Sequence, residues 1–269
     1  MSAPVPAGPG PRAGVRLPLL LPVPAGAGMA RALMFRNLVA WKHAWATLVS
    51  GFFEPVFYLF ALGIGIGGLV GSVRVGEETV SYAAFVAPAL LASSAMNGAV
   101  FDTTGNVFFK LHYARVYDSV LSTPWGPRDV AVGEISWALI RGTGYAAAFL
   151  VVMVLTGVVH SGWAVFTLPA AVLIGFAFAG LGMAATTYMR TWQDFELVQL
   201  AVLPMFLFSA TFYPLDTYPA ALRWLVETMP LYHGVALVRD LTLGCPGPNT
   251  LGHAGYLLLL GFVGMVLAA

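Results

Sequence analysis

Six runs of apolar residues, separated by polar segments, constrain this chain more than any other feature of its sequence. A helix needs about 20 apolar residues to cross the hydrocarbon layer of a membrane. Most of the runs approach or exceed that length, whereas the fifth is short and contains Pro204. The predicted spans are residues 52–70, 82–101, 136–159, 163–188, 197–213 and 251–269. Only 9% of the residues are charged and 59% are apolar, so the sequence predicts an all-α, polytopic membrane protein.

Two different segments precede the first span. Residues 1–28 are rich in Pro, Gly and Ala, and we expect a disordered tail. The apolar stretch near Leu20 also has the flanks of a signal peptide, but several prolines interrupt it. Residues 29–51 alternate basic with large apolar side chains, including two tryptophans, which predicts an amphipathic elbow helix in the membrane interface.

A polar segment over residues 102–134 separates the second and third predicted spans. Apolar residues at helical spacing predict a short helix within it, with one apolar face: Val107, Leu111, Ala114, Tyr117 and Leu121. The run Ser122–Pro127 is dense in turn residues and should end that helix. We interpret the segment as a helix-turn-helix that another protein contacts; a solvated loop is the alternative.

Two further short helices are expected between the fifth and sixth spans. Pro219 suits a first helical position, Pro230 should end the first helix, and Gly244 should end the second. Neither helix is long enough to cross a membrane. A re-entrant or interfacial lid is therefore the predicted placement of this pair.

The distribution of basic residues predicts the orientation, because cytoplasmic segments of membrane proteins are enriched in Lys and Arg. With six spans and the amino terminus inside, three of the 13 basic residues fall outside: Arg74, Arg223 and Arg239. The others fall inside or at an inner helix end: Arg12, Arg16, Arg31, Arg36, Lys42, Lys110, Arg115, Arg128, Arg141 and Arg190. We therefore expect a multi-pass protein of the bacterial cell membrane with both termini in the cytoplasm.

Several kinds of chemistry do not fit the sequence. A phosphate-binding loop needs Gly-Lys-Ser/Thr, but both lysines, Lys42 and Lys110, follow aromatic residues. Predicted spans two, four, five and six contain no Asp, Glu, Lys or Arg, which disfavours a proton relay. The five histidines lack metal-ligand spacing, and the single Cys245 leaves a free thiol or a bridge to a second copy. The chain therefore needs an external source of energy if it transports a solute.

Polar residues within the apolar runs are candidates for a translocation path. Ser93, Ser94 and Asn97 either line such a path or form hydrogen bonds between helices. Ser209 and Thr211 are further candidates at the end of the fifth run. Glu54 should stay near the inner interface or face protein, because a carboxylate at mid-membrane costs about 3 kcal/mol.

Four groups of residues, in this order, resemble the membrane subunit of type-2 ABC exporters. They are Phe53-Glu54-Pro55 with the glycine-rich remainder of the first span, Leu121-x-Thr123-Pro124 followed by Asp129 and Gly133-Glu134, the run Ser209–Leu215, and Met229-Pro230-Leu231-Tyr232-His233 with Val238-Arg239. Over residues 30–269 the chain is most similar to the nodulation-factor, or lipo-oligosaccharide, exporter branch. That branch lies close to daunorubicin-type drug-efflux permeases.

The resemblance implies a half-transporter without a cofactor of its own. Two permease subunits, identical or different, would form the pathway for an amphiphilic substrate, and a separate ATPase would bind ATP and magnesium. The implied ATPase-coupling residues are Lys110, Arg115, Asp118, Thr123, Pro124, Asp129 and Glu134, with the coupling helix within residues 106–122. The elbow and inner gate would contain Arg36, Glu54 and Pro55, and the outer lid Asp216, Pro230, His233 and Arg239.

Two other functions stay open at this level. A membrane transferase acting on lipid-linked substrates would need its acidic and histidine residues to converge. The candidates for that site are Asp216, Glu227, His233 and Asp240. An ion-coupled carrier is the second alternative, and the lack of ionisable residues in most spans weighs against it.

Overall fold

The computed structural model describes residues 35–39, 45–75, 78–122 and 126–268. The predicted tail (1–28) and much of the predicted elbow helix (29–51) lie outside these ranges, as do Thr123 and Pro124. Residues 35–39 are helical, and the helix of the first span already begins at Trp45.

The described chain is mainly helical. Its helices are α1 (Trp45–Phe60, continued by Ala61–Ile66 and Gly67–Val70), α2 (Tyr82–Phe101, continued to Tyr113), α3 (Val116–Leu121), α4 (Pro127–Leu155), α5 (Thr167–Tyr188), α6 (Asp194–Phe208), α7 (Ala220–Thr228), α8 (Pro230–Leu243) and α9 (Pro248–Ala268). Single-turn helices precede α5 at Gly162–Phe166 and α7 at Leu215–Thr217. A hairpin of β1 (Ser72–Val75) and β2 (Glu78–Ser81) joins α1 to α2.

Five helices in the described ranges are long and apolar enough to cross a membrane, which agrees with the predicted all-α membrane fold. They cover Phe53–Val70, Tyr82–Tyr113, Pro127–Leu155, Gly162–Tyr188 and Pro248–Ala268. The fifth predicted span, 197–213, corresponds to α6, which has 15 residues. At 1.5 Å per residue such a helix covers about 22 Å, less than the roughly 30 Å of the hydrocarbon layer. A sixth crossing therefore stays a prediction.

The polar segment between the second and third spans differs from the prediction of one short helix that ends at the turn Ser122–Pro127. Instead, α2 continues to Tyr113 through two π-helical stretches, Asp102–Asn106 and Phe109–Tyr113. The helical path then breaks at Arg115, whose φ of 46° is left-handed, and α3 is only six residues long. The prediction from apolar spacing assumed 3.6 residues per turn throughout. It therefore could not reveal the wider π turns or this break.

The third span also begins earlier than predicted, at Pro127 instead of Ser136. Pro127 occupies the first turn, where its missing N–H costs nothing. The Asp129 carboxylate accepts a hydrogen bond from the Gly126 N–H at 3.0 Å and so caps this end.

The polar loop between the first two spans forms an antiparallel hairpin, which the sequence did not predict. Ser72 pairs with Ser81 and Val75 with Glu78. Ser81 then caps α2, since its hydroxyl accepts a hydrogen bond from the Ala84 N–H at 3.2 Å. The hairpin fixes the entry of α2 at the same end of the bundle as α7 and α8.

The core is built around α2 and α5, most of whose residues are buried. The backbones of α5 and α9 approach closely at glycines. A Cβ added to Gly264 would lie 2.4 Å from the Gly180 carbonyl carbon, and one added to Gly180 would lie 2.7 Å from the Gly261 carbonyl oxygen. Small residues allow such approach in lipid, where packing drives helix association.

The predicted pair of short helices is present as α7 and α8. Met229 separates them, Pro230 begins α8 in its first turn, and Gly244 ends it at φ 89°. With nine and 14 residues, neither helix reaches the length of a span.

Candidate functional site

The carboxylate of Glu134 receives hydrogen bonds from four side chains, although the residue is only 3% exposed. Oε1 accepts from the Tyr117 hydroxyl at 3.0 Å and from Arg36 Nη2 at 3.3 Å. Oε2 accepts from Lys110 Nζ at 2.7 Å and from Asn37 Nδ2 at 3.1 Å. We call these five residues the Glu134 cluster.

The donors of the cluster come from three separate parts of the chain. Arg36 and Asn37 lie in the helical stretch 35–39, Lys110 in the second π-helical stretch of α2, and Tyr117 on α3. The left-handed Arg115 turns the chain between Lys110 and Tyr117, so both can reach one carboxylate. The cluster therefore ties the amino-terminal helical stretch to the polar ends of α2 and α4.

Burial sets the charge states in the cluster. Removing water from a carboxylate is costly unless cations and hydrogen-bond donors replace it, and here two cations and two neutral donors do so. Burial, together with the Glu134 charge, raises the pKa of Tyr117 above its ordinary value. Tyr117 therefore stays protonated and donates to Glu134 throughout the physiological pH range.

A second ion pair joins α2 to α4 one level further into the bundle. Arg141 donates to Asp102, and both side chains are largely buried, at 9% and 4% exposure. The other carboxylate oxygen of Asp102 is buried without a hydrogen-bond partner within the described ranges. The charges are placed the other way round from those of Lys110 and Glu134, because here the acid lies on α2 and the base on α4.

A cleft of about 590 Å³ lies next to this ion pair, between α1, α2, α4 and α6. Its polar lining residues are Glu54, Tyr58, Ser93, Ser94, Asn97, Arg141, Tyr145 and Gln199. Its apolar lining residues include Leu90, Val202, Leu203 and Phe206. A wall that combines hydroxyl, amide and charged groups with aliphatic and aromatic side chains can hold a molecule with a polar and an apolar part.

The structure brings together two of the predicted coupling residues and one predicted elbow residue. Lys110 and Glu134 meet Arg36 of the elbow in the Glu134 cluster. Arg115 and Asp118 are exposed beside it, at the start and on the surface of α3. Asp129 caps α4 as described above, while Thr123 and Pro124 lie outside the described residues.

The predicted path residues fall into two places. Ser93, Ser94 and Asn97 line the cleft together with the predicted gate residues Glu54 and Pro55. The Ser93 hydroxyl also donates to the Ala89 carbonyl of its own helix at 2.8 Å.

Ser209 and Thr211 do not line the cleft. Both are fully buried just beyond α6, at the end of the bundle opposite the Glu134 cluster. They therefore lie past the cleft rather than in its wall.

The predicted lid residues do not form one surface. Asp216 is exposed in the turn before α7, and Pro230 begins α8. His233 Nδ1 lies 2.7 Å from His253 Nδ1 on α9. Arg239 lies on the second lid helix, α8, but it is only 9% exposed and points into the bundle. Its role in the lid stays a prediction. The helical periodicity that puts Val235 and Val238 inside also turns Arg239 inward.

No hydrogen bond between side chains and no ion pair in the described ranges joins the four residues proposed for a transferase site. Asp240 accepts a hydrogen bond from Thr250 at 2.7 Å, and His233 pairs with His253. Asp216 and Glu227 are exposed. Within the described ranges, no group of three His, Cys, Asp or Glu side chains could hold a metal ion.

Sequence reasoning missed Asn37, Tyr117 and the pair of Asp102 with Arg141 as functional candidates. Tyr117 fitted the apolar face of a helix, and its hydroxyl gave no signal. Asp102 and Arg141 are 39 positions apart. One charge at each end of adjoining apolar runs was the only available signal for that pair.

Comparison with known proteins gives consistent matches over most of the chain. A family model described as "ABC-2 type transporter" matches residues 30–243. Nodulation protein J of Rhizobium leguminosarum bv. viciae is 34% identical over 239 residues, which cover 88% of this chain and 91% of that protein. Nodulation protein J of Rhizobium meliloti (strain 1021) is 31% identical over 228 residues, covering 84% and 86%.

A more distant relative comes from a different bacterium. The inner membrane transport permease YadH of Escherichia coli (strain K12) is 26% identical over 224 residues, covering 79% of this chain and 86% of that protein. The matches include the Glu134 cluster, the cleft and both short helices within the family region.

Proposed function

Because this chain belongs to the ABC-2 type transporter family, we propose that it is an export permease that a separate ABC ATPase drives from the cytoplasm. The observation that carries the proposal is the Glu134 cluster, which joins the polar ends of the helices lining the cleft. ATP and magnesium would bind to the partner, since the lysines of this chain do not stand in a phosphate-binding loop.

The ATPase would contact α3. Arg115 and Asp118 are exposed there, and Tyr117 between them connects the same helix to Glu134. Force on α3 would therefore reach α2 and α4 through Tyr117 and Lys110. The turn that contains Thr123 and Pro124 follows α3 directly in sequence and belongs to the same proposed surface.

The cleft is the proposed binding site of the exported molecule. Ser93, Ser94 and Asn97 offer hydrogen bonds at one wall, and Leu203 and Phe206 offer apolar contact at another. These features suit an amphiphilic molecule such as a lipid, a glycolipid or a drug-like compound. Glu54 and Pro55 at the side of the cleft would form part of its inner entrance.

A second permease subunit would complete the pathway. Glu54 and Gln199 are exposed on the open side of the cleft, and leaving such groups in contact with lipid is costly. A second copy facing this side would cover them. We favour a homodimer, and a different permease subunit in the same position is the alternative.

The orientation proposed from the basic residues puts the Glu134 cluster in the cytoplasm and α7 and α8 outside. In a Cys245→Ser background, a membrane-impermeant maleimide added to intact cells should label Leu222→Cys on α7. It should label Asp118→Cys on α3 only after the cells are permeabilised. The reverse pattern would overturn the orientation.

The function is tested by ATP hydrolysis in proteoliposomes that contain the permease and the ABC ATPase that copurifies with it. The ATPase rate of the complex should exceed that of the free ATPase several-fold, and Arg115→Ala combined with Asp118→Ala should remove most of this stimulation. Arg74→Ala in the hairpin at the opposite end serves as the control and should retain it. Full stimulation by the double variant would contradict coupling through α3.

A further inference from the structure

The last residue of α6 and the five residues after it, 209–213, are held by side chains from three other parts of the chain. The carbonyls of Phe208, Ala210 and Phe212 accept hydrogen bonds from Tyr218 at 2.9 Å, Arg239 at 2.9 Å and Tyr82 at 3.3 Å, respectively. Every second carbonyl is thus fixed to a different element: the turn before α7, helix α8 and the start of α2. We call residues 209–213 the post-α6 segment.

Arg239 occupies the centre of this arrangement. Its Nη2 also lies 3.3 Å from the Phe85 carbonyl oxygen, and its guanidinium carbon lies 4.0 Å from the centre of the Phe85 ring. No carboxylate in the described ranges lies within ion-pair distance of this buried cation. Arg239 is therefore held by backbone carbonyls and an aromatic face rather than by an acid.

The post-α6 segment and Arg239 combine an unfavourable backbone angle with buried polar atoms that form no hydrogen bond. Ala210 has a φ of 54°, in the left-handed region that residues with a Cβ disfavour. Thr211 Oγ1 and Arg239 Nε are buried without hydrogen-bond partners in the described part of the chain. Groups of this kind persist where the surroundings hold a segment in place, and they favour its release when those contacts break.

The segment lies at the end of the cleft that is opposite the Glu134 cluster. The Phe212 ring packs edge-on against Phe206, with ring centres 5.2 Å apart, and Phe206 lines the cleft. On α2, Phe85 precedes the cleft residue Leu90 by about one and a half turns. A molecule leaving the cleft toward α7 and α8 would therefore meet this segment.

We propose that the post-α6 segment is the exit gate of the cleft and that Arg239 is the positioning residue that keeps it closed. Opening would separate Ala210 from Arg239 and Phe212 from Tyr82, and water would replace both hydrogen bonds. The proposal rests on the proposed role of the cleft as the export path. It assigns the gate to a buried contact of α8 rather than to the exposed surface of the lid.

The test measures how fast a thiol within the segment reacts. Thr211→Cys in a Cys245→Ser background is nearly isosteric and breaks no hydrogen bond found for Thr211. The protein is reconstituted in nanodiscs, which leave both faces open, and labelled with a charged methanethiosulfonate reagent. With Arg239 present, labelling should be slow because Thr211 is fully buried.

Arg239→Gln should accelerate labelling at least tenfold, because a shorter neutral side chain cannot span both carbonyls. Tyr82→Phe, which removes one hydrogen bond and little volume, should accelerate it a few-fold and guards against misfolding of the arginine variant. Arg223→Gln is the matched control, since Arg223 donates to backbone carbonyls at the same end at 3.0 and 2.7 Å. That variant should change the rate less than twofold.

Unchanged labelling in both Arg239→Gln and Tyr82→Phe would overturn the gate, and so would equal acceleration by Arg223→Gln. The measurement needs neither ATP nor the partner ATPase. It can therefore fail while ATP-driven coupling through α3 holds, and it can succeed while that coupling fails.

Discussion

Glu134 is the residue on which the polar end of the bundle depends. Its carboxylate has two cationic and two neutral donors, and three of the four come from elements other than α2. In a buried site, a carboxylate with this many partners is stabilised by the whole set, and losing it leaves the cations without compensation. Glu134 therefore contributes both to folding and to the connection between α3 and α4.

We predict that Glu134→Gln lowers the free energy of unfolding by about 3 kcal/mol, because it leaves Lys110 and Arg36 beside a neutral amide. The measurement is thermal unfolding of the detergent-solubilised protein, followed by tryptophan fluorescence. Asp118→Asn removes an exposed carboxylate nearby and should change the free energy by less than about 0.5 kcal/mol. Equal shifts for the two variants would contradict a central role for Glu134.

Tyr117→Phe removes a single hydrogen bond to the same carboxylate and should cost about 1.5–3 kcal/mol. Since the pKa of Tyr117 is raised in the folded protein above its ordinary 10.0, its contribution is complete below pH 10. It is lost only as the pH rises through the higher folded value. The stability difference from the wild type should therefore be constant between pH 6 and pH 9, with the exposed Tyr113→Phe as control. A difference that shrinks within this range would contradict the assignment.

At this scale the sequence predicted the participants better than their arrangement. Arg36, Lys110 and Glu134 were all candidates, but Arg36 and Glu134 are 98 positions apart and nothing in either neighbourhood predicts the contact. The sequence also could not predict that Arg239 points inward. A basic residue in a short amphipathic helix is expected to be exposed, and only the packing of α8 on α2 buries this one.

At the scale of elements, the most extensive helix contact of the described chain is between α5 and α9. It depends on glycines whose missing Cβ atoms let the two backbones touch, at Gly180, Gly261 and Gly264. In lipid such contacts replace the hydrophobic effect as a source of helix association. This contact attaches the last helix to the core.

Gly264→Ala tests that contact. The added Cβ would lie 2.4 Å from the Gly180 carbonyl carbon, so the helices must separate, and we expect a loss of about 1–3 kcal/mol in thermal unfolding. Gly252→Ala on the same helix meets no atom within 4 Å and serves as the control. It should be neutral or stabilising by up to about 1 kcal/mol, because alanine favours helix. Destabilisation of both variants alike would contradict a specific close contact at Gly264, because alanine by itself favours helix.

The apolar runs predicted helices well, and their ends poorly. The paired short helices α7 and α8 were expected from Pro219, Pro230 and Gly244, whose backbone preferences act locally. The extension of α2 to Tyr113 was not expected. A helix that passes from lipid into a polar cluster changes its pattern of apolar and polar residues along its length. The hairpin was missed because eight described residues of mixed polarity, split between two strands, give a weak alternation.

At the scale of the whole molecule, one subunit leaves its cleft open on the side of α1 and α6. Of the helix α6, only Val202 is buried, and Gln199 is exposed toward that side. A polar amide and the Glu54 carboxylate on a lipid-facing surface are unfavourable, whereas they are tolerated beside a second subunit or a polar path. The open side of the cleft therefore supports our proposal that a second subunit completes the pathway.

A cross-linking experiment tests this arrangement. In a Cys245→Ser background, Gln199→Cys treated in membranes with a short bis-maleimide should give a covalent dimer. Leu259→Cys, which is 65% exposed on α9 and faces away from the cleft, is the matched control and should give several-fold less. A Gln199→Cys product that contains a different permease subunit would identify a heterodimer with the same interface. Equal dimer yields from the two positions would mean that the open side of the cleft is not a subunit interface, because random collisions in the membrane label any exposed helix.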